Sequence, residues 1–223
     1  MKITTLQVAG FSPALKGMRN PMNSWSKNDT KHCADFDTCD KCSAFCNQCK
    51  DNNLEWVIGE NDLQLATNLK KAGNEHSKYL RMIQVWADFD MPRYWWSEFD
   101  TYKIGTTANS CSTMHKLLNN KEPITLDLFV TCEEDLDIGM LVVNRLEELR
   151  QEYLITKDNR LLVRAKRLLM EGFLQLRTVN LNYATISNIY HQRKHHRLKE
   201  EWVDVFCEWV ESLPYAKELI IGE

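Results

Sequence analysis

At every second position from Ile83 the chain places an apolar side chain, Ile83, Val85, Ala87 and Phe89, and Pro92 follows soon after. Period two is the signature of a strand, because successive side chains point to opposite faces of a sheet. Pro92 lacks the N–H a ladder needs but suits the first turn of a helix. The stretch 79–90 is therefore expected to be a strand running into a short helix that contains Trp95, Trp96 and Phe99. Such a strand needs partners and cover. Residues 1–9 alternate as another strand, with Ile3, Leu6 and Val8 apolar and Gly10 at its end, and Ile124, Leu126, Leu128 and Val130 alternate as a third candidate.

Helical periodicity supplies the cover. In residues 60–73, Asn61 or Asp62 is expected to cap a helix whose apolar face carries Leu65, Leu69 and Ala72, and Gly73 suits the position just past its end. Glu133, Glu134 and Asp135 put negative charge where the dipole of a following helix favours it. That helix carries Ile138, Val142, Leu146, Leu149 and Tyr153 on one side, and a second follows over 158–170. Two more are expected at about 182–193 and 199–213, the last with Trp202, Val205, Phe206 and Trp209 together. No internal repeat or linker interrupts this order. The expectation is a single α+β domain, a mostly antiparallel sheet flanked by helices, with an insertion at about 20–53 that is polar and Cys-rich.

Charge and composition narrow the function classes. The 223 residues hold 28 Lys and Arg against 31 Asp and Glu, so no net field draws the chain to a polyanion, and nucleic acid is not an expected partner. Hydrophobic residues make up 43% with only 8 Gly and 5 Pro, which excludes a disordered or collagen-like chain. No apolar run approaches the roughly 20 residues of a membrane span, and the first residues lack the apolar core of a secretory signal. A cytoplasmic location is therefore expected, where eight cysteines read as free thiols or metal ligands more readily than as a disulfide framework.

Two stretches could carry chemistry. Residues 92–117 gather hydroxyls, Gly105, Lys103 and His115 just after a strand, a composition that lets backbone approach phosphate or a flat heterocycle and offers donors to it; the plain alternative is a polar surface loop. Residues 177–202 place Tyr183, Asn188, Arg193 and the basic run 195–197 along one helix. A basic cluster at a helix end suits the dipole as a solvated face, yet Arg and Asn at fixed spacing are also the means of holding a nucleotide, by bidentate phosphate contacts and by paired donor and acceptor.

Taken together and in order, residues 60–212 resemble the flavin-dependent thymidylate synthases. That family shows a Gly-His phrase, a strand, a Pro-led helix entering an Arg-His-Arg motif, a small polar turn with Ser, and then a Thr-Val-Asn phrase leading into a helix with Asn and Arg. Here Gly73 and His76 precede the strand, Pro92 leads the helix, 109–112 resembles the polar turn, and Thr178, Val179 and Asn180 begin the later phrase. Asn182, Asn188 and Arg193 keep the family's helical spacing, and Glu201 and Trp202 follow. Thr101, Tyr102 and Lys103 stand at the Arg-His-Arg positions, so two of three cations are gone; at Asn-Glu-x-Ser-x-Arg the chain has Asn109, Ser110, Ser112 and Met114, without the carboxylate or the arginine. Arg to Met removes a phosphate partner.

The resemblance implies FAD as cofactor, NADPH and methylene-tetrahydrofolate as co-substrates, and methylation at C5 of dUMP or a related pyrimidine deoxynucleotide without an enzyme nucleophile. It implies a homotetramer. It assigns His76, Lys103, Asn182 and Asn188 to the cofactor, and Arg193, Ser110 and Ser112 to the nucleotide. The missing cations imply weak flavin binding. Two other readings of the same chain are an enzyme that modifies a different pyrimidine nucleotide, and a non-catalytic binding module that uses its Cys-rich insertion for recognition.

Nothing in the resemblance accounts for Cys39, Cys42, Cys46 and Cys49, a C-x2-C-x3-C-x2-C run with His32 and Cys33 upstream. Two CxxC pairs suit a tetrahedral thiolate site, but the three-residue connection is far shorter than in zinc ribbons, and the ferredoxin rhythm is absent. Metal ligation, two local disulfides and free thiols all remain readings of this run. Cys111, between Ser110 and Ser112, has no base assigned by spacing and reads as a small thiol rather than a nucleophile.

Overall fold

The computed structural model describes residues 1–32 and 56–222. Four strands form one antiparallel sheet in the order β1–β4–β6–β5: β1 Lys2–Ala9, β4 Gln84–Pro92, β5 Thr106–Ser110 and β6 Leu174–Asn182. A second, two-stranded sheet pairs β2 Lys31–His32 with β3 Trp56–Val57. The helices are α1 Phe11–Arg19, α2 Glu60–Lys71, α3 Arg93–Phe99, α4 Thr113–Lys116, α5 Leu136–Thr156, α6 Asn159–Leu168 and α7 Tyr183–Arg193, followed by a wide π-helix, Glu200–Cys207, that continues as α8 Glu208–Glu211. Among the described residues no helix is long and apolar enough to cross a membrane. The α+β class expected from the sequence is the one observed.

Contacts group the described chain into two compact units. One comprises Met1–Lys2, Phe89–Thr101 and Asn109–Thr178. Its core is built where α5 and α6 meet, from Val143, Leu146, Leu149, Leu161 and Ala165, with Leu118, Ile124 and Phe129 packed in. The Pro-led helix brings its aromatics to Phe89 as expected: Trp95 stacks on Phe99 with ring centres 4.9 Å apart, and Trp96 meets Trp95 edge-on at 5.0 Å. Glu147 and Arg150 of α5 tie down the preceding loop. Arg150 donates to both Glu147 oxygens and to the Asn120 carbonyl, while the Ile124 N–H donates to Glu147 at 2.8 Å.

The other unit comprises Ile3–Asp88, Tyr102–Ala108 and Val179–Glu223. Ile83, Val85 and Ala87, the expected inner face of β4, are completely buried. β1 turns into α1 through Gly10 at φ +99°, where a Cβ would sit 2.2 Å from the Met82 carbonyl oxygen, so only glycine fits. A polar knot holds the start of α2. Arg19 donates to Asp62 at 2.6 Å, both side chains nearly sealed from water, and the second Asp62 oxygen accepts from the Asp29 and Thr30 amides and the Thr30 hydroxyl.

Three local expectations are corrected. Neither Asn61 nor Asp62 caps α2: Asp29, thirty-two residues before Asn61, accepts the Asn61 and Asp62 amides instead, which frees Asp62 to pair with Arg19. Residues 124–130 are not a sheet strand, because the turn Leu126–Leu128 takes back the Leu128 and Phe129 amides that a ladder would need, leaving one isolated bridge, Phe129 to Phe173. The inner side of α5 runs through Gly139, Val143, Leu146, Leu149 and Tyr153, one position on from the expected stripe at its start, so Ile138 stands exposed.

Candidate functional site

Of the side chains that the sequence singles out in the second unit, Asn182, Asn188 and Arg193 lie along α7. Asn182 begins it. Its side-chain oxygen accepts the Thr185 amide at 3.0 Å, the usual way an Asn satisfies an otherwise orphaned N–H in a first turn. Segment 102–105 then runs beside the helix in the opposite sense. Gly105, at φ +74°, lies so close to the Asn182 amide that a Cβ would be 2.3 Å from Nδ2, and the Ile104 carbonyl accepts the Thr185 hydroxyl at 3.1 Å.

At the other end of α7, about 16 Å along the axis at 1.5 Å per residue, the same segment delivers Tyr102 to Arg193. Arg193 Nε donates to the Tyr102 hydroxyl at 2.8 Å, and that hydroxyl donates to Gln192 Oε1 at 3.0 Å. Gln192 Nε2 donates in turn to Asn188 Oδ1 at 2.9 Å. The Arg193 guanidinium also lies over the Trp202 ring, 4.5 Å from its centre, and 5.5 Å from the centre of the Tyr102 ring. Each such cation–aromatic contact is worth about 0.5–2 kcal/mol depending on burial. The arginine is thus fixed in position through Nε and both ring faces, the arrangement in which a guanidinium fork recognises a phosphate with least loss of side-chain freedom.

The inward side of α7 is anchored differently. Lys70 donates to the Ser187 hydroxyl at 2.7 Å, which donates to the Ile220 carbonyl at 2.6 Å. Burial brings the Lys70 amine down to about 8. The His191 imidazole is also held below its ordinary value, first by burial and then by the charges of Lys70 and Lys194.

The structure brings together Asn188 and Arg193, in one hydrogen-bonded chain, with Asn182 at the far end of their helix. Lys103 is exposed on segment 102–105, and His76 is exposed in the turn after α2, where its amide donates to the Gly73 carbonyl. Gly73 has the expected left-handed conformation. In the other unit, Ser110 is exposed at the end of β5, so the expected polar turn is partly a strand, and the Ser112 hydroxyl accepts the His115 amide to start α4. Cys111 and Cys132 are exposed free thiols, and burial pushes the Cys207 thiol up to about 12. Cys39, Cys42, Cys46 and Cys49 lie outside the described residues. Among the described residues no group of three or more His, Cys, Asp and Glu is placed to hold a metal ion.

Gln192 is the member of the arrangement that the sequence does not flag, and Trp202 enters there only as a helix-face aromatic that follows the resemblance. Tyr102 read as the loss of a cation, whereas it is the hub of the chain. The signal for Gln192 is its position four residues after Asn188, on the same helix face.

No family model and no curated protein matches the sequence. Solved structures do match by shape. Flavin-dependent thymidylate synthase ThyX from Helicobacter pylori, complexed with FAD and dUMP, superposes with a TM-score of 0.70 at 16% identity, covering 99% of this chain and 98% of that one. A UMP/dUMP methylase, PolB from Streptomyces cacaoi, bound with 5-Br dUMP, gives a TM-score of 0.58 at 10% identity over 98% of this chain and 93% of its own. Over nearly its whole length, then, the chain has the fold of the flavin-dependent thymidylate synthases, in a strongly diverged sequence.

Proposed function

We propose that the protein is a flavin-dependent thymidylate synthase-like enzyme that acts at C5 of a pyrimidine deoxynucleotide, dUMP or a close relative. The observation that carries the reading is Arg193, which keeps its family spacing and is oriented by Tyr102 and Trp202 in a fold shared with proteins bound to dUMP and its 5-bromo analogue. Arg193 is the phosphate ligand in this reading.

The donor set of the second unit fits a flavin cofactor, though sparsely. The exposed His76 imidazole, the exposed Lys103 ammonium and the Asn188 amide suit the heterocycle and phosphates of FAD, while Asn182 sets the start of the helix that presents Asn188. FAD, reduced by NADPH, would supply the redox chemistry that turns a folate-borne one-carbon unit into a methyl group. The chain's own share is to bind and orient: Arg193 fixes the nucleotide by its phosphate, and segment 102–105 with α7 keeps that arginine in register. As in the family, the assembly is a homotetramer and the setting cytoplasmic.

Calorimetric titration of dUMP into wild type and Arg193→Ala tests the reading. Loss of a charged partner should weaken binding about ten- to a hundredfold. Equal affinities, or no binding to wild type, would remove its basis.

One observation favours a second reading, an altered pyrimidine-nucleotide modification on the same fold. Tyr102 stands at the family's histidine but is engaged with Arg193 and Gln192. Incubating the protein with FAD, NADPH, methylene-tetrahydrofolate and either dUMP or UMP, then identifying the product by mass, separates the two: thymidylate supports the first reading, and another product the second.

A further inference from the structure

Lys70, the last residue but one of α2, reaches the buried side of α7. Its amine donates to the Ser187 hydroxyl at 2.7 Å, and that hydroxyl gives its own proton to the Ile220 carbonyl at 2.6 Å. Ile220 belongs to a short turn, Lys217–Ile221, that closes over the helix with Leu219 and Ile220 completely buried. Gly222 follows at φ +86°, packed so closely on the lysine that a Cβ there would lie 3.1 Å from Lys70 Cε. His191, one helical turn on from Ser187, meets the same turn, and the Ile220 and Ile221 carbonyls act on its imidazole.

Two cations, Lys70 and Lys194, act on His191, and no carboxylate of the described residues pairs with Lys70. An amine placed so gives up its proton readily. Burial brings it from 10.5 down to about 8, so at about pH 7.5 roughly a quarter of it is neutral, against roughly a thousandth of an unperturbed amine. The neutral amine still donates one N–H to Ser187. Because the Ser187 proton is directed at Ile220, that bond leaves the nitrogen lone pair unused, and the bond to Ser187 is the one hydrogen bond this nitrogen makes among the described residues. Lys70 is only partly buried, so solvent and small solutes reach it. Half-burial, an oriented N–H and an idle lone pair together describe a nucleophile.

We infer that Lys70 is an acyl-acceptor site, where a small acyl phosphate forms an amide on Nζ, and that this amide loosens the turn Lys217–Ile221 from α7. The nitrogen lone pair attacks the acyl carbonyl carbon and an amide C–N bond forms. The C–O bond to phosphate breaks, its electron pair leaves on the phosphate, and the proton from the amine goes to solvent. An anionic donor suits the position, because Lys70 and Lys194 give it a positive surround. The product has lost its charge and gained three heavy atoms in the case of an acetyl group, which acts against both the bond to Ser187 and the close packing at Gly222. No nucleotide takes part, so the inference stands apart from the function proposed above.

Acetyl phosphate is the probe. The full chain is treated at about pH 7.5 to low occupancy, and fragment-ion mass spectrometry separates Lys70 from Lys71, its exposed neighbour on the same helix. Lys70 should acetylate about tenfold faster, less than its neutral fraction alone implies, because a weaker base is a weaker nucleophile and partial burial slows approach. Its rate should level off above about pH 8. Hydrogen exchange reads the second half: the Leu219 amide, bonded to the Tyr215 carbonyl, and the Gly222 amide, bonded to the Lys217 carbonyl, should exchange several-fold faster in the acetylated protein and in Lys70→Gln, and at the wild-type rate in Lys71→Gln. If Lys70→Gln melts early by circular dichroism, the acetylated wild type carries the exchange reading alone. Acetylation of Lys70 no faster than that of Lys71, a rate still climbing about tenfold per pH unit beyond about pH 9, or unchanged exchange after acetylation overturns the inference.

Discussion

Removing one oxygen atom tests the site most directly. Tyr102→Phe keeps the ring 5.5 Å from the Arg193 guanidinium but deletes the acceptor of the 2.8 Å bond from Nε and the donor of the 3.0 Å bond to Gln192. A hydrogen bond to a charged group contributes about 1.5–3 kcal/mol and a neutral one about 0.5–1.5 kcal/mol. The pair is only half-buried, so water replaces part of both. The expected net loss of stability is therefore about 1–2 kcal/mol, readable as a lower urea midpoint at unchanged slope. For dUMP affinity the expected loss is about five- to tenfold, because a guanidinium no longer held through Nε must be ordered when the ligand arrives. The double-mutant cycle with Arg193→Ala decides whether the two residues act as one: a coupling above about 0.5 kcal/mol in dUMP binding is expected. Independent effects, or a Tyr102→Phe protein with wild-type affinity, would refute the claim that Tyr102 works through Arg193.

Other consequences are simpler to read. Asp62→Ala leaves Arg19 buried without a counter-charge, so a destabilisation of about 3–5 kcal/mol is expected in urea denaturation, and a change below about 1 kcal/mol would mean the knot is dispensable. Hydrogen bonds from Arg150 hold the Glu147 carboxyl down at about 2, below its ordinary 4.5, so its stabilisation is complete above pH 4.5 and is lost as pH falls towards 2; Glu147→Gln should be less stable at pH 7 and lose less on acidification, and parallel pH curves would contradict this. Lys70, down at about 8 from 10.5, makes the unfolded chain the stronger proton binder between those values, so stability from this group rises with pH across that window, and in Lys70→Met thermal scans the rise should be smaller than in wild type. Thr101→Arg restores one missing cation without disturbing Tyr102 and should tighten FAD several-fold by flavin-fluorescence titration; unchanged affinity would count against the alignment of this segment.

The parts of the fold that were legible in the sequence are those in which one element satisfies itself. Ile83, Val85, Ala87 and Phe89 announce an inner face by simple alternation and are fully buried, and Asn182 heads the helix it caps. β6 was missed because its alternation changes phase: Leu174 and Leu176 fall on one parity, Val179 and Leu181 on the other, with Thr178 between. β5, Thr-Thr-Ala-Asn-Ser, has no large apolar residue, and as an edge strand it needs none. The alternation at 124–130 was real but misleading, because a strand also needs free amides facing a partner. The candidate site divides in the same way. The spacing of Asn188 and Arg193 was visible on one helix, whereas Tyr102, ninety-one residues before Arg193, is joined to it only by the fold.

The two short strands that flank residues 33–55 set a rule for what that stretch can be. Lys31 faces Val57 and His32 faces Trp56, so the chain leaves and returns through points about 5 Å apart, a gap that a two-residue hairpin turn can close. Asp29 and Thr30 on one side are hydrogen-bonded to Asp62 on the other, which ties the two edges of the gap together. Whatever chain joins His32 to Trp56 must therefore begin and end within one strand spacing, a condition set by β2, β3 and the Asp62 knot.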